Sequence, residues 1–381
     1  MEAVIGGQCA TYTATMSDGE GGSGRTTLLG LLSIFVASRL ILVAVALIVE
    51  ATTPLVPDAS ASTAPLLRSL TNSDGPWYVG IAANGYHVEA LKGPFHDYVF
   101  FPLFPLAIRV GSIFTAGNLP LAAVAIANLT LAGALVLFER LSRPVIGARG
   151  ALIAAAFLVF APGAVAFGMA YSDSLFLLVS LAAVLAAQGR RYLLMSVLFG
   201  LASLTRLPGV VLIVPLALTM AGQVPAAGRR RAWLWLASGP IALAGYLGFV
   251  VLLTGDAFAW LRAQSAWNNP PDSYGPPGMP SIPTSVLLLA LVIVTVVYLF
   301  QLVYLRTSRL PRAHVAYLLA GLLSLAVSFR IVSLPRYLAV LWPFPWLFTN
   351  RRSGVFVAIT MAVFVAAYAV FAFLDFTLLA P

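Results

Sequence analysis

The chain has 381 residues, of which 60% are hydrophobic and only 9% charged, and its formal net charge is +9. A soluble domain carries about 25% charged residues, so the composition excludes a water-soluble globule and points to a polytopic membrane domain. The basic excess does not indicate nucleic acid. The Arg residues fall in short clusters between apolar runs, at 139–150, 189–191, 228–231, 306–312 and 350–352, as cytoplasmic loops do, and form no basic patch.

Cys9 is the only cysteine, so no intrachain disulfide is possible. No Cys/His spacing reads as a zinc site. Lys92 is the only lysine in a chain rich in Ala, Leu and Val, which hints at a GC-rich bacterial genome.

Residues 1–27 are rich in Gly, Ser, Thr and Ala and read as a disordered cytoplasmic tail. Residues 28–381 read as a single transmembrane domain. Its first helix, 28–49, contains Arg39, a functional candidate by position or a partner for a neighbouring helix. Residues 50–99 are too polar to face lipid and too aromatic for a disordered linker. They are expected to form a large, ordered, extracytoplasmic first loop. Apolar segments follow near 100–117, 119–138, 151–170, 172–188, 192–206, 209–222, 232–254, 284–305, 315–330, 337–349 and 354–374. The predicted fold is therefore all-α, a multi-pass protein with about 10–12 transmembrane helices. Placing the basic clusters in the cytoplasm puts 50–99, 171–174, 205–208, the second large loop 255–283 and 330–336 on the opposite side. For this to hold, 100–117 must lie along the interface or re-enter.

That outer face collects the polar residues. Asp74 lies in "TNSDGPWYVGIAANGY", Asp173 in "YSDS", Arg206 in "LTRLPG", Arg262, Gln264 and Trp267 in "FAWLRAQSAW", and Arg336 in "SLPRY". Singly, each has an ordinary explanation as a helix cap, a snorkelling cation or an interface aromatic. Together, an acid able to take a proton beside guanidinium groups able to hold a phosphate suits chemistry on a phosphate-linked substrate.

These segments, in this order, resemble the PIG-V-type mannosyltransferases and, more broadly, the GT-C glycosyltransferases that use lipid-phosphate sugars. The resemblance runs from about residue 68 to 348 through "SDGPWYVGIAANGY", "FFPLFPL", "YSDSLF", "LASLTRLPG", "AFAWLRAQSAW" and "PRYLAVLWPF". The family usually has Trp immediately before the first-loop acid, where this chain has Ser73. Pro76 and Asp173 stand where a flexible residue and Glu are common. The resemblance implies a GT-C-like fold and a hexosyltransferase at the cell membrane. Its sugar, mannose in the family pattern, would pass from a polyprenyl-phosphate carrier to an acceptor hydroxyl with inversion. Asp74 would be the general base, with Asp173 sharing the acceptor or orienting Asp74. Arg206 and Arg336 would clamp the donor phosphate. Trp77, Tyr78, Tyr86, Arg262, Gln264, Trp267 and Tyr337 would bind substrate. The implied partners are the bilayer, the lipid-linked donor and a glycan, lipoglycan or protein acceptor. No metal site is assigned, although His87, His96 and Asp97 leave a divalent ion open. Two other functions fit the composition: a lipid or sugar transporter, and a non-catalytic scaffold with the same fold.

Overall fold

The computed structural model describes residues 20–52, 64–91, 94–225, 228–268, 310–327, 333–349 and 353–378. These residues form helices joined by turns, with no sheet among them, and the chain is an all-α, multi-pass membrane protein. Four helices are long and apolar enough to cross a bilayer: Gly24–Thr52, Leu119–Val159, Ala232–Thr254 and Gly354–Thr377. The expected helix at 284–305 lies outside the described residues, as do most of the second large loop, residues 1–19 and the basic cluster 350–352.

Helix α1 (Glu20–Thr52) begins inside the stretch expected to be disordered, so residues 20–27 are helical. Two short helices follow, α2 (Pro65–Leu70) and α3 (Gly75–Asn84). The expected first loop is thus partly helical, and its signals are local. Pro76 occupies the first turn of α3, where its missing N–H costs nothing, and Gly85 ends it with φ +82. Gly75 and Gly80 lie within α3, so of the three loop glycines only Gly85 makes a turn.

Helix α4 (Leu103–Gly111) has nine residues. At 1.5 Å per residue it covers ~14 Å, half of a ~30 Å hydrocarbon core, and cannot span it. It buries Phe104 and Ile108 while exposing Leu106 and Val110, the pattern of a helix lying along an interface.

Helix α5 (Leu119–Val159) is capped by Asn118, whose Oδ1 accepts from the Leu121 N–H at 2.9 Å. It consists of two helical stretches joined by a kink inside "ERLSRPVIGARG", the segment expected to separate two helices. The only break is Gly147, at φ 74 and ψ 167, a conformation that only glycine adopts without strain. The expected 151–170 helix stops at Val159 and gives way to a 3-10 turn at Pro162–Phe167.

The remaining helices are α6 (Asp173–Gln188), α7 (Tyr192–Ser203), α8 (Ile213–Gln223), α9 (Arg229–Leu234), α10 (Ser238–Thr254), α11 (Ala259–Asn268), α12 (Arg312–Val327), α13 (Leu334–Ala339), α14 (Phe344–Thr349) and α15 (Gly354–Leu378). The expected helix at 337–349 is in fact α13 and α14, separated by a turn. The main core packs α1, α5, α6 and α7 around fully buried Phe138, Phe157, Trp342 and Trp346.

Arg39 pairs with neighbouring helices. It donates to Asn128 Oδ1 on α5 at 3.1 Å and to the Tyr368 hydroxyl on α15 at 3.3 Å, tying three helices together.

The Pro162–Phe167 turn packs against α13 and α15. A Cβ on Gly163 would lie 2.1 Å from the Pro335 carbonyl carbon, so the two backbones touch where α13 begins. Gly163→Ala is expected to cost about 1–3 kcal/mol through overpacking and to displace the helix carrying Arg336. A thermal melt of the purified protein beside wild type checks this.

Candidate active site

The site is built from four segments that meet on one side of α5 and α6. The first is the turn leading into α3. Ser73 sits there at φ 61, a left-handed conformation that costs about 1 kcal/mol or more in a non-glycine residue. It delivers Asp74 to the start of α3. The second is the link 169–173, docked on the first segment by the Ala170 N–H donating to the Leu70 carbonyl at 2.8 Å. It places Asp173 at the first residue of α6, where the helix dipole favours an anion. The third is the extended residue Arg206, between α7 and the 3-10 turn Leu207–Leu212. The fourth is α13, which carries Arg336 and Tyr337.

The four charged side chains form one network. Asp173 is fully buried and receives both guanidinium groups. Arg336 donates to its Oδ2 from Nε at 2.8 Å and approaches it from Nη2 at 2.7 Å. Arg206 Nη1 lies against Oδ1 as an ion pair. Arg336 Nη1 also pairs with Asp74 Oδ2. The Asp74 and Arg336 side chains are 22% and 18% exposed, so the network is open at this end and closed at Asp173. Two carboxylates balance two guanidiniums, which satisfies the requirement that buried charges be paired.

Aromatic rings frame the network. The Arg206 guanidinium lies 5.2 Å from the Tyr337 ring, and that of Arg336 lies 4.2 Å from the Tyr171 ring. The Tyr78 hydroxyl is hydrogen-bonded to Ser172 Oγ at 2.9 Å. Burial pushes the Tyr78 phenol up to about 12, so at neutral pH it keeps its proton and remains a donor.

A cavity of about 420 Å³ opens beside the charges. Asp74, Tyr78, Arg206, Gln264, Trp267, Arg336 and Tyr337 line it, bringing together seven of the expected site residues. The other four lie elsewhere. Asp173 is behind the guanidiniums. Trp77 is packed within the aromatic wall, stacked on Phe100 at 5.9 Å and edge-on to Trp267 at 5.1 Å. Tyr86 donates to the Phe100 carbonyl at 2.8 Å and packs against Tyr246. Arg262 points away, paired with Asp256 and 65% exposed. Helix α11 covers the cavity with Trp260, Gln264 and Trp267, and Trp267 Nε1 donates to the His96 carbonyl at 3.2 Å.

Sequence reasoning missed Tyr171, Thr205, Trp260 and Ser333. All four lie inside the motifs that carry the site residues, which is the only signal they gave. His87 is committed to Asp97, with Nδ1 2.8 Å from Oδ2. Among the described residues, no three His, Cys, Asp or Glu side chains gather as a metal site.

The arrangement places a carboxylate, a pair of guanidiniums and a roomy, mostly apolar cavity within one another's reach. No curated protein matches the chain. A family model, mannosyltransferase (PIG-V), matches residues 27–223, more than half of the 381, and this span contains Asp74, Asp173 and Arg206. The chain is therefore a glycosyltransferase and belongs to the mannosyltransferase (PIG-V) family.

Proposed function

We propose that the protein transfers mannose from a polyprenyl-phosphate carrier to an acceptor hydroxyl, with inversion, on the extracytoplasmic face of a bacterial cell membrane. The observation that carries this reading is the Asp74–Arg336–Asp173–Arg206 network at the mouth of the cavity. Asp74 takes the proton of the acceptor hydroxyl as its oxygen attacks the anomeric carbon and the bond to the carrier phosphate breaks. Arg336 and Arg206 stabilise the charge that collects on the departing phosphate. Asp173 holds both guanidiniums in place from behind. Tyr78, Gln264, Trp267 and Tyr337 bind the sugar and the carrier head.

Arg336 is paired with Asp74 as well as with Asp173. The donor phosphate is a third anion for Arg336 and draws it from Asp74, which frees the base toward the acceptor, so the donor binds before the base is free.

A transfer assay tests the reading. Purified protein in detergent receives radiolabelled polyprenyl-phosphate mannose and a crude lipid and glycan extract. Label is expected to enter an acceptor. Retention of all label on the carrier sinks the assignment of the donor. The face is tested separately by Glu89→Cys and Ser265→Cys in a Cys9→Ser background. Both positions are exposed and both are expected to react with an impermeant maleimide added to intact cells. Labelling of only one of them overturns the topology.

A further inference from the structure

Tyr171 belongs to no part of the chemistry above, yet it touches two of the reacting groups. Its ring is 2% exposed and lies 4.2 Å beneath the Arg336 guanidinium. Its hydroxyl oxygen accepts from the Asp74 backbone N–H at 3.4 Å. The residue is itself fixed. The neighbouring Ala170 N–H is bonded to the Leu70 carbonyl, the Tyr171 N–H donates to the Met169 carbonyl at 2.7 Å, and Ser172 is bonded to Tyr78. One rigid side chain therefore meets the cation on its face and the base's backbone at its tip.

We infer that Tyr171 is a positioning residue that holds the phosphate-binding guanidinium of Arg336 and the backbone of Asp74 in register. The argument is geometric. A guanidinium with only carboxylate partners can rotate about its Cδ–Nε bond and still stay paired. A ring below it fixes its plane. That plane must serve Asp173 on one edge and present Nη1 toward the cavity on the other. The hydroxyl adds a second constraint, because it anchors the turn on which Asp74 rides, next to Ser73 in its left-handed conformation. Sequence supplies the economy of this device: Tyr171 lies two residues before Asp173, so one short link carries both the anchor of Arg336 and the platform beneath it.

The two functions of the side chain can be separated. Tyr171→Phe keeps the ring and removes the hydroxyl, whereas Tyr171→Leu removes the ring. The inference rests on the donor reading, so binding is measured with polyprenyl phosphate alone, which reports on the clamp whether or not mannose is the sugar. Tyr171→Leu is expected to weaken polyprenyl phosphate binding about tenfold. Tyr171→Phe is expected to bind it like wild type and to lower kcat several-fold with little change in donor KM. A merely structural Tyr171 would lower the melting temperature in both variants without this split. Unchanged binding in a folded Tyr171→Leu overturns the inference. So does a Tyr171→Phe that loses binding, and that variant decides alone should the Leu variant not fold. Wild type that binds polyprenyl phosphate but transfers no mannose overturns the sugar assignment and leaves Tyr171 in place. Wild type that does not bind the carrier overturns both.

Discussion

Asp74→Asn is expected to lower transfer by about 10²–10⁴-fold, the usual contribution of a positioned general base, while the protein folds normally. The substitution conserves size while removing the ability to accept a proton and the negative charge that pairs with Arg336. Arg336 keeps Asp173 as its partner through Nε and Nη2, so no buried charge is stranded. Asp74 is itself partly exposed, which keeps its contribution to stability small. The kinetic signature should be specific. Asp74 is paired with Arg336 Nη1, so under the proposed mechanism it competes with the donor phosphate for that group. An amide competes less, so the donor KM should stay level or fall while kcat collapses. Turnover within about tenfold of wild type would remove Asp74 from the role of base, since a general base contributes more than that. A raised donor KM with kcat unchanged would recast Asp74 as a binding residue.

The charged part of the site was legible because charge is scarce in this chain. With 9% of residues charged, an Asp or Arg at the edge of an apolar segment is conspicuous. Asp74, Arg206 and Arg336 meet at one cavity. Burial was not legible. Nothing in "YSDS" shows that Asp173 is sealed behind two guanidiniums while Asp74 stays open. Aromatic residues were the least readable. The sequence cannot separate a ring that faces substrate from one that faces other rings: Trp77, Tyr78 and Tyr86 all read as substrate-binding, and of these only Tyr78 lines the cavity, while Trp77 and Tyr86 pack within its wall.

The fold was legible in class and less so in detail. The apolar runs announced helices, but their ends depended on single residues. The division at the basic cluster was legible: two helical stretches meet inside it, at Gly147, whose non-helical φ 74 and ψ 167 kink the chain. The first-loop segment read as an ordered loop, although Pro76 and Gly85 mark the start and stop of a ten-residue helix.

Asp173→Asn is the change expected to cost the most stability. Its carboxylate is fully buried and shared by Arg206 and Arg336, whose side chains are 8% and 18% exposed. Removing one member of a buried ion network leaves uncompensated charge and costs about 3–5 kcal/mol, enough to consume much of a domain's net stability. Transfer should fall with it, because Arg336 loses its pair with Asp173 and the pair with Asp74 then holds the base more tightly. A second substitution separates the two effects. Arg206→Met removes the stranded cation at similar length, so the double variant Asp173→Asn/Arg206→Met should recover part of the lost melting temperature. It should not recover transfer, since one of the two phosphate-binding cations is gone. The coupling energy from the four proteins should be favourable and exceed about 1 kcal/mol, as expected for residues in one ion network. Additive losses in melting temperature would mean that Asp173 and Arg206 do not act as a unit. A melting temperature unchanged in Asp173→Asn would mean that the carboxylate is not what holds the two cations together.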